Sequence, residues 1–308
     1  MGRKADAMEL KNWTYEEFPE FQYKGADGIL ETTGNEVGVA YIPDVVYAEV
    51  DGVKLHLQIQ YPYTRNCKDG VYPCIVYVQG SGWGKQNCYE ALPMLSHYAE
   101  QGFVVATVEY RHSGIAKFPA CIVDARNAIR FLKKNADLYH IDRDKMVLAG
   151  NSSGGHTAMF GGILKDDDAA DNLYPGYIAD VNCIINFYGS TSFIADDSNP
   201  STPDHCGPQS PEGLEMGGVD MNANPELKKV LSVECNIDES TDLPPVLIIH
   251  GTKDRIVNTS CSVAVYEKLK KTGHEAYLYL LRGADHGGPE FFARNVVNTV
   301  TSFIKRYV

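Results

Sequence analysis

Two adjacent serines stand between glycines in Gly150-Asn151-Ser152-Ser153-Gly154, directly after an apolar run. A serine hydroxyl attacks a carbonyl only when a base takes its proton, and an imidazole base needs an acid to fix its tautomer. The pentapeptide fits G-x-S-x-G with Ser152 at its centre. Centring on Ser153 puts Asn151 where the first glycine belongs, and the match is lost. Such a motif is a strand that turns sharply into a helix and exposes the nucleophile at the apex. Residues 145–150 can supply that strand and 156–164 that helix. Two partners follow in the order Ser, Asp, His: Asp254 after the apolar run 245–251, and His286 after 276–281. Both loops are expected at the carboxyl edge of a sheet, beside Ser152. The glycine-rich stretch 77–85, "YVQGSGWGK", offers backbone N–H groups to a developing oxyanion. The expected donors are Gly80, Ser81 and, across the elbow, Ser153. Trp83 is a candidate substrate-binding ring that could offer an apolar face to a sugar or restrict the acyl pocket; a core or rim position is the equal alternative.

Competing groups have weaker contexts. His250 ends a strand and His156 lies inside a helix, so packed structural roles are expected for both. Asp285 adjoins His286 and is poorly placed for its Nδ1. His56, His97, His112, His140, His205 and His274 need no role beyond core or solvent.

The elements that must position these groups are short apolar runs at 73–78, 103–110, 146–150, 183–189, 245–251 and 276–281, which read as strands, most of them covered on both faces. Helical spacing recurs between them, in Ile122, Ala125, Ile129 and Leu132, in Val263, Tyr266 and Leu269, and in Phe292, Val296, Val300 and Phe303. Alternation of this kind predicts an α/β fold with a mostly parallel, doubly wound sheet and helices on both faces. Residues 45–62, with Asp51-Gly52 at the centre, read as an antiparallel hairpin preceding the main sheet. One domain is expected to fill residues 1–308, with an N-terminal extension at 1–44 packed on the core. A small proline-containing cap is expected at 190–230, where Asp196, Asp197, Asn199, Asp204 and Asn222 would suit hydroxyl-bearing ligands.

Composition narrows the partners. The net charge of −12 opposes nucleic acid and anionic membranes. No run approaches the roughly 18 apolar residues of a membrane helix, and the N-terminal segment lacks a secretory signal's apolar stretch. The eight cysteines sit singly, without metal-site spacing. A cytoplasmic protein with reduced thiols, no metal and no organic cofactor is expected, and homo-oligomerisation is left open.

With "VQGSGWG", "VEYRHSGIAKFPACIVDARNAIRFL", "GNSSGGH", "GLEMGG", "HGTKDRIV" and "GADHGG" in view, the chain from about residue 45 onward resembles α/β-hydrolase carbohydrate esterases of the acetyl-xylan and feruloyl esterase kind, related to hormone-sensitive-lipase-like esterases. Tyr110-Arg111, Phe118-Pro119-Ala120 and Asp124 are its least generic residues. The resemblance implies Ser152 as nucleophile, Asp254 as acid and His286 as base. Gln79 and Ser81 depart from the family's HGGG-type stretch, and the N-terminal extension has no counterpart in it. The implied activity is removal of short acyl groups, acetyl above all, from small-molecule or oligosaccharide esters. Two alternatives use the same elements: an amide-cleaving hydrolase of the arylformamidase or prolyl-oligopeptidase kind, and a catalytically silent hydrolase-fold binding protein.

Overall fold

A computed structural model describes residues 11–66, 70–164, 172–194 and 200–308. Its centre is an eight-stranded sheet of order β1-β2-β4-β3-β5-β6-β7-β8. The strands are β1 (Gly38–Val50), β2 (Val53–Tyr63), β3 (Tyr72–Val78), β4 (Val104–Val108), β5 (Ile141–Asn151), β6 (Cys183–Phe187), β7 (Val246–Gly251) and β8 (Ala276–Leu281). The six from β3 to β8 run parallel, and the apolar runs predicted as strands all fall in them. From β3 to β7 the near-continuous hydrophobicity follows from burial on both faces, whereas the edge strand β8 leaves Tyr279 and Leu280 about half exposed. One face packs on α2 (Ala120–Lys134), α3 (Ser153–Ile163) and α6 (Ser260–Lys271), the other on α1 (Leu92–Glu100) and α7 (Arg294–Ile304). Helix α1 was not foreseen from the sequence.

The hairpin exists but is longer than expected, and it extends the main sheet, because β2 pairs antiparallel with β4. Its first strand begins at Gly38, inside the stretch read as extension. A register shift between Ile42 and Val45, with Asp44 at φ 51°, breaks the alternation that would have revealed it. Residues 11–37 do not pack on the core as expected; they are largely exposed, apart from Gly34. The cap region holds two short helices, α4 (Pro211–Glu215) and α5 (Pro225–Leu231). Asp196, Asp197 and Asn199 lie outside the described residues. Among the described residues no helix is long and apolar enough to cross a membrane.

The chain places β4 on one side of β3 and then β5 on the other. That reversal opens a crevice at the carboxyl ends of β3 and β5, where ligands of open α/β sheets bind.

Candidate active site

Ser152 follows β5 at the crevice with φ 51° and ψ −127°. This strained backbone holds because its amide donates to the Phe187 carbonyl at 3.0 Å while its own carbonyl accepts from His156 N at 3.2 Å. A glycine is required at 154, since a Cβ there would overlap the Val78 carbonyl oxygen.

The loops after β7 and β8 bring the expected partners to this serine. Ser152 Oγ lies 2.9 Å from His286 Nε2, and His286 Nδ1 lies 2.8 Å from Asp254 Oδ2. Burial alone would raise the Asp254 pKa, but hydrogen bonds from His250, His286 and the Val257 amide outweigh it and hold the carboxyl well below the usual range. Asp254 therefore stays ionised and accepts from Nδ1–H, which leaves Nε2 unprotonated toward the serine. Asp285 is occupied elsewhere: its carboxylate accepts from Arg255 Nε at 2.7 Å and from the His286 amide at 2.9 Å.

His250 is packed, as its strand position suggested, but it also touches the site. Its Nδ1 meets Ser262 Oγ at 2.7 Å, and its Nε2 lies 2.9 Å from the Val257 carbonyl and 3.1 Å from Asp254 Oδ2. His156 is fully buried with Nε2 at 2.9 Å from the Leu231 carbonyl, and burial lowers its pKa to about 4. Tyr188 was not foreseen; its ring meets that of His286 edge-on at 4.8 Å.

The oxyanion loop differs from the sequence expectation in one donor. Gly80 N donates to Asn151 Oδ1 at 2.8 Å, so this amide is spent on holding the loop against the elbow. Asn151 also donates through Nδ2 to Tyr188 Oη at 3.1 Å, tying loop, elbow and the support of His286 together. Ser81 N donates to Ser153 Oγ at 3.0 Å, an acceptor that can rotate or share the hydrogen with a ligand oxygen. The Ser153 amide opens α3, where N–H groups have no intrahelical acceptor. The next loop residue, Gly82, also borders the cavity. Behind the loop, Ser81 Oγ contacts Tyr110 Oη at 3.1 Å, and the Arg111 guanidinium grips Asp124 through bonds of 2.9–3.1 Å. Tyr110 thus supports the loop from beneath, and the Arg111–Asp124 pair ties the segment after Tyr110 to α2.

Trp83 requires a second correction. It borders the cavity, yet only 1% of its surface is exposed, and its ring packs against His156 and Phe193. No face is left to stack on a sugar.

The cavity over Ser152 has a volume of about 510 Å³. Ala91, Met94 and Phe292 form an apolar wall, whereas Ser190, His205 and Glu212 bring polar groups from the cap region. His205, for which the sequence offered no context beyond a core or solvated role, meets Glu212 seven residues on and Ile256 in a distant loop.

The fold and geometry have counterparts among known proteins. A family model described as BD-FAE matches residues 57–269. Esterase LipC of Mycobacterium tuberculosis is 27% identical over 220 residues, covering 70% of this chain and 53% of LipC. The probable carboxylic ester hydrolase LipM of the same organism is 24% identical, covering 68% of this chain and 48% of LipM. The chain thus spans about half the length of these curated relatives. A solved structure titled a truncated carbohydrate esterase from gut microbiota superposes with a TM-score of 0.74 at 26% identity, covering 87% of this chain and 96% of that one. The doubly wound sheet expected from the strand and helix alternation, and the α/β-hydrolase fold that the resemblance implied, are therefore observed. Because the matched segment runs from β2 into α6 and carries Ser152 and Asp254, the chain belongs to the BD-FAE family, an α/β-hydrolase esterase family.

Proposed function

We propose that the chain is a serine esterase that removes short acyl groups from carbohydrate esters. The observation that carries this reading is the unbroken hydrogen-bond relay from Ser152 Oγ through His286 to Asp254, opening on a cavity. His286 Nε2 takes the Ser152 proton as Oγ attacks the ester carbonyl. The oxyanion is held by the amides of Ser153 and Ser81, with Gly82 in the place first given to Gly80. His286 then returns the proton to the departing alcohol, leaving an acyl-enzyme. Water deprotonated by His286 releases the acid and restores Ser152. We read the whole chain as one hydrolase domain whose 190–230 segment caps the site.

Relatives named as esterases support ester cleavage, and the carbohydrate esterase at TM-score 0.74 supports a sugar-bearing alcohol. The polar cap wall beside an apolar wall suits a small acyl group on a hydroxylated alcohol. A panel of acetyl, butyryl and octanoyl esters, acetylated oligosaccharides and formylated aromatic amines tests the reading. Acetyl release from oligosaccharides is expected. Rapid formamide cleavage without any acetyl release would transfer the chain to the amide-cleaving class.

A further inference from the structure

We propose that Glu212, held in place by His205, is the anchor for a hydroxyl group on the alcohol half of the substrate, an inference that rests on the esterase reading above. Glu212 is only 1% exposed and stands in the wall of the cavity that contains Ser152 and His286. Its Oε1 lies 2.8 Å from His205 Nδ1 and 3.3 Å from Ser190 Oγ. Its Oε2 is buried and has no hydrogen-bond partner among the described residues. Buried carboxylate oxygens are seldom left without a donor, and because Glu212 borders the cavity, a ligand hydroxyl entering beside it is the donor we assign to Oε2.

The type of donor follows from His205. Its Nε2 lies 2.7 Å from the Ile256 carbonyl oxygen, which can only accept, so that nitrogen carries a hydrogen. Nδ1 faces a carboxylate and carries the second. Burial works against that imidazolium, but the Glu212 carboxylate and the Ile256 carbonyl outweigh it and raise the His205 pKa. The pair is net neutral. Glu212 therefore has its charge matched already and one acceptor site unmatched, which fits a neutral O–H donor rather than a cationic alcohol. His205 acts as a positioning residue, since its imidazolium fixes one oxygen of Glu212 and leaves the other for the ligand.

The test compares two acetates of primary alcohols, a methyl hexopyranoside 6-acetate and cyclohexylmethyl acetate, which differ in their ring hydroxyls. The wild-type protein should favour the sugar ester in kcat/KM. In Glu212→Gln that preference should fall about tenfold, mainly through KM, because a neutral amide is a weaker acceptor than a carboxylate. Fluorophosphonate labelling of Ser152 checks that the variant keeps its site. An unchanged preference in a labelled variant overturns the assignment. If the variant does not fold, monodeoxy analogues of the hexoside decide with wild-type protein: a tenfold loss on removing one hydroxyl supports the anchor, and equal rates across the series overturn it. A wild-type protein that cleaves neither acetate removes the esterase reading itself, and the anchor with it.

Discussion

Glu215 offers a test of how the cap is fixed over the site. The residue ends α4, where its backbone carbonyl accepts from the Phe118 amide at 3.1 Å and its Oε1 accepts from Cys121 Sγ at 3.5 Å. Neighbouring contacts clamp the same helix: Lys117 Nζ donates to the Leu214 carbonyl at 3.0 Å, and a Cβ at Gly82 would sit 3.2 Å from that of Pro211. Burial pushes the Glu215 pKa up to about 8 from an ordinary 4.5, while Cys121 and Lys117 only partly oppose it. A carboxyl whose pKa is raised by folding stabilises the native state fully below its unfolded value, and that stability is lost as pH climbs through the folded value. A factor of ten in proton affinity is ~1.4 kcal/mol, so the interval between 4.5 and about 8 sets a ceiling of roughly 5 kcal/mol. Relaxation and water entry around an ionised Glu215 bring the expected loss to about 2 to 3 kcal/mol. Glu215→Gln keeps the shape and removes the titration. Urea unfolding of both proteins from about pH 5 to about pH 9, followed through the buried Trp83, should give curves that nearly coincide in acid. They should separate by about 2 kcal/mol or more in alkali, with the variant the more stable. Parallel pH profiles would refute the reasoning, because the difference between the proteins isolates this one group.

Other expectations concern the reaction. Ser152→Ala should reduce turnover to near background and abolish fluorophosphonate labelling, whereas a label mapped to Ser153 would move the nucleophile. Ser153→Ala should retain labelling at Ser152 but lose about tenfold in kcat, since Ser81 N loses the hydroxyl that steadies its loop. Asp254→Asn should cost about 10³-fold or more in kcat with the melting temperature little changed, and a near-normal rate would dismiss Asp254 as the acid. Gly80→Ala would drive a Cβ into the Asn151 carbonyl oxygen and toward Ser152 Cβ, and kcat should drop about 10²-fold; unchanged rates would show that the loop is free to shift. Rates should decline from acetyl to butyryl to octanoyl esters, with each ill-fitting methylene worth about 1 to 3 kcal/mol, and an octanoyl preference would require a deeper acyl channel.

What the sequence determined was local. Uninterrupted apolar runs required strands buried on both faces, and β7 falls with every residue buried on the run, 245–251, that the pattern marked. Gly150 and Gly154 around Ser152 required a tight strand-to-helix turn, and the loops holding Asp254 and His286 had to leave the same edge once the strands were parallel. Tertiary structure decided which polar atoms were already engaged. Gly80 and Ser81 look alike as donors along the chain, but Gly80's amide is held by the Asn151 side-chain carbonyl and Ser81's by the Ser153 hydroxyl, which can turn away. Trp83 stands beside the glycines of the loop, yet its ring turns into the core against His156. His205 carries no local signal; its place comes from Glu212 in the next helix and from Ile256, 51 residues away. Hydrophobic periodicity is written along the chain because burial acts on each element separately. Hydrogen-bond satisfaction depends on pairs of groups that meet only after the sheet has formed, so no single segment of the sequence encodes it.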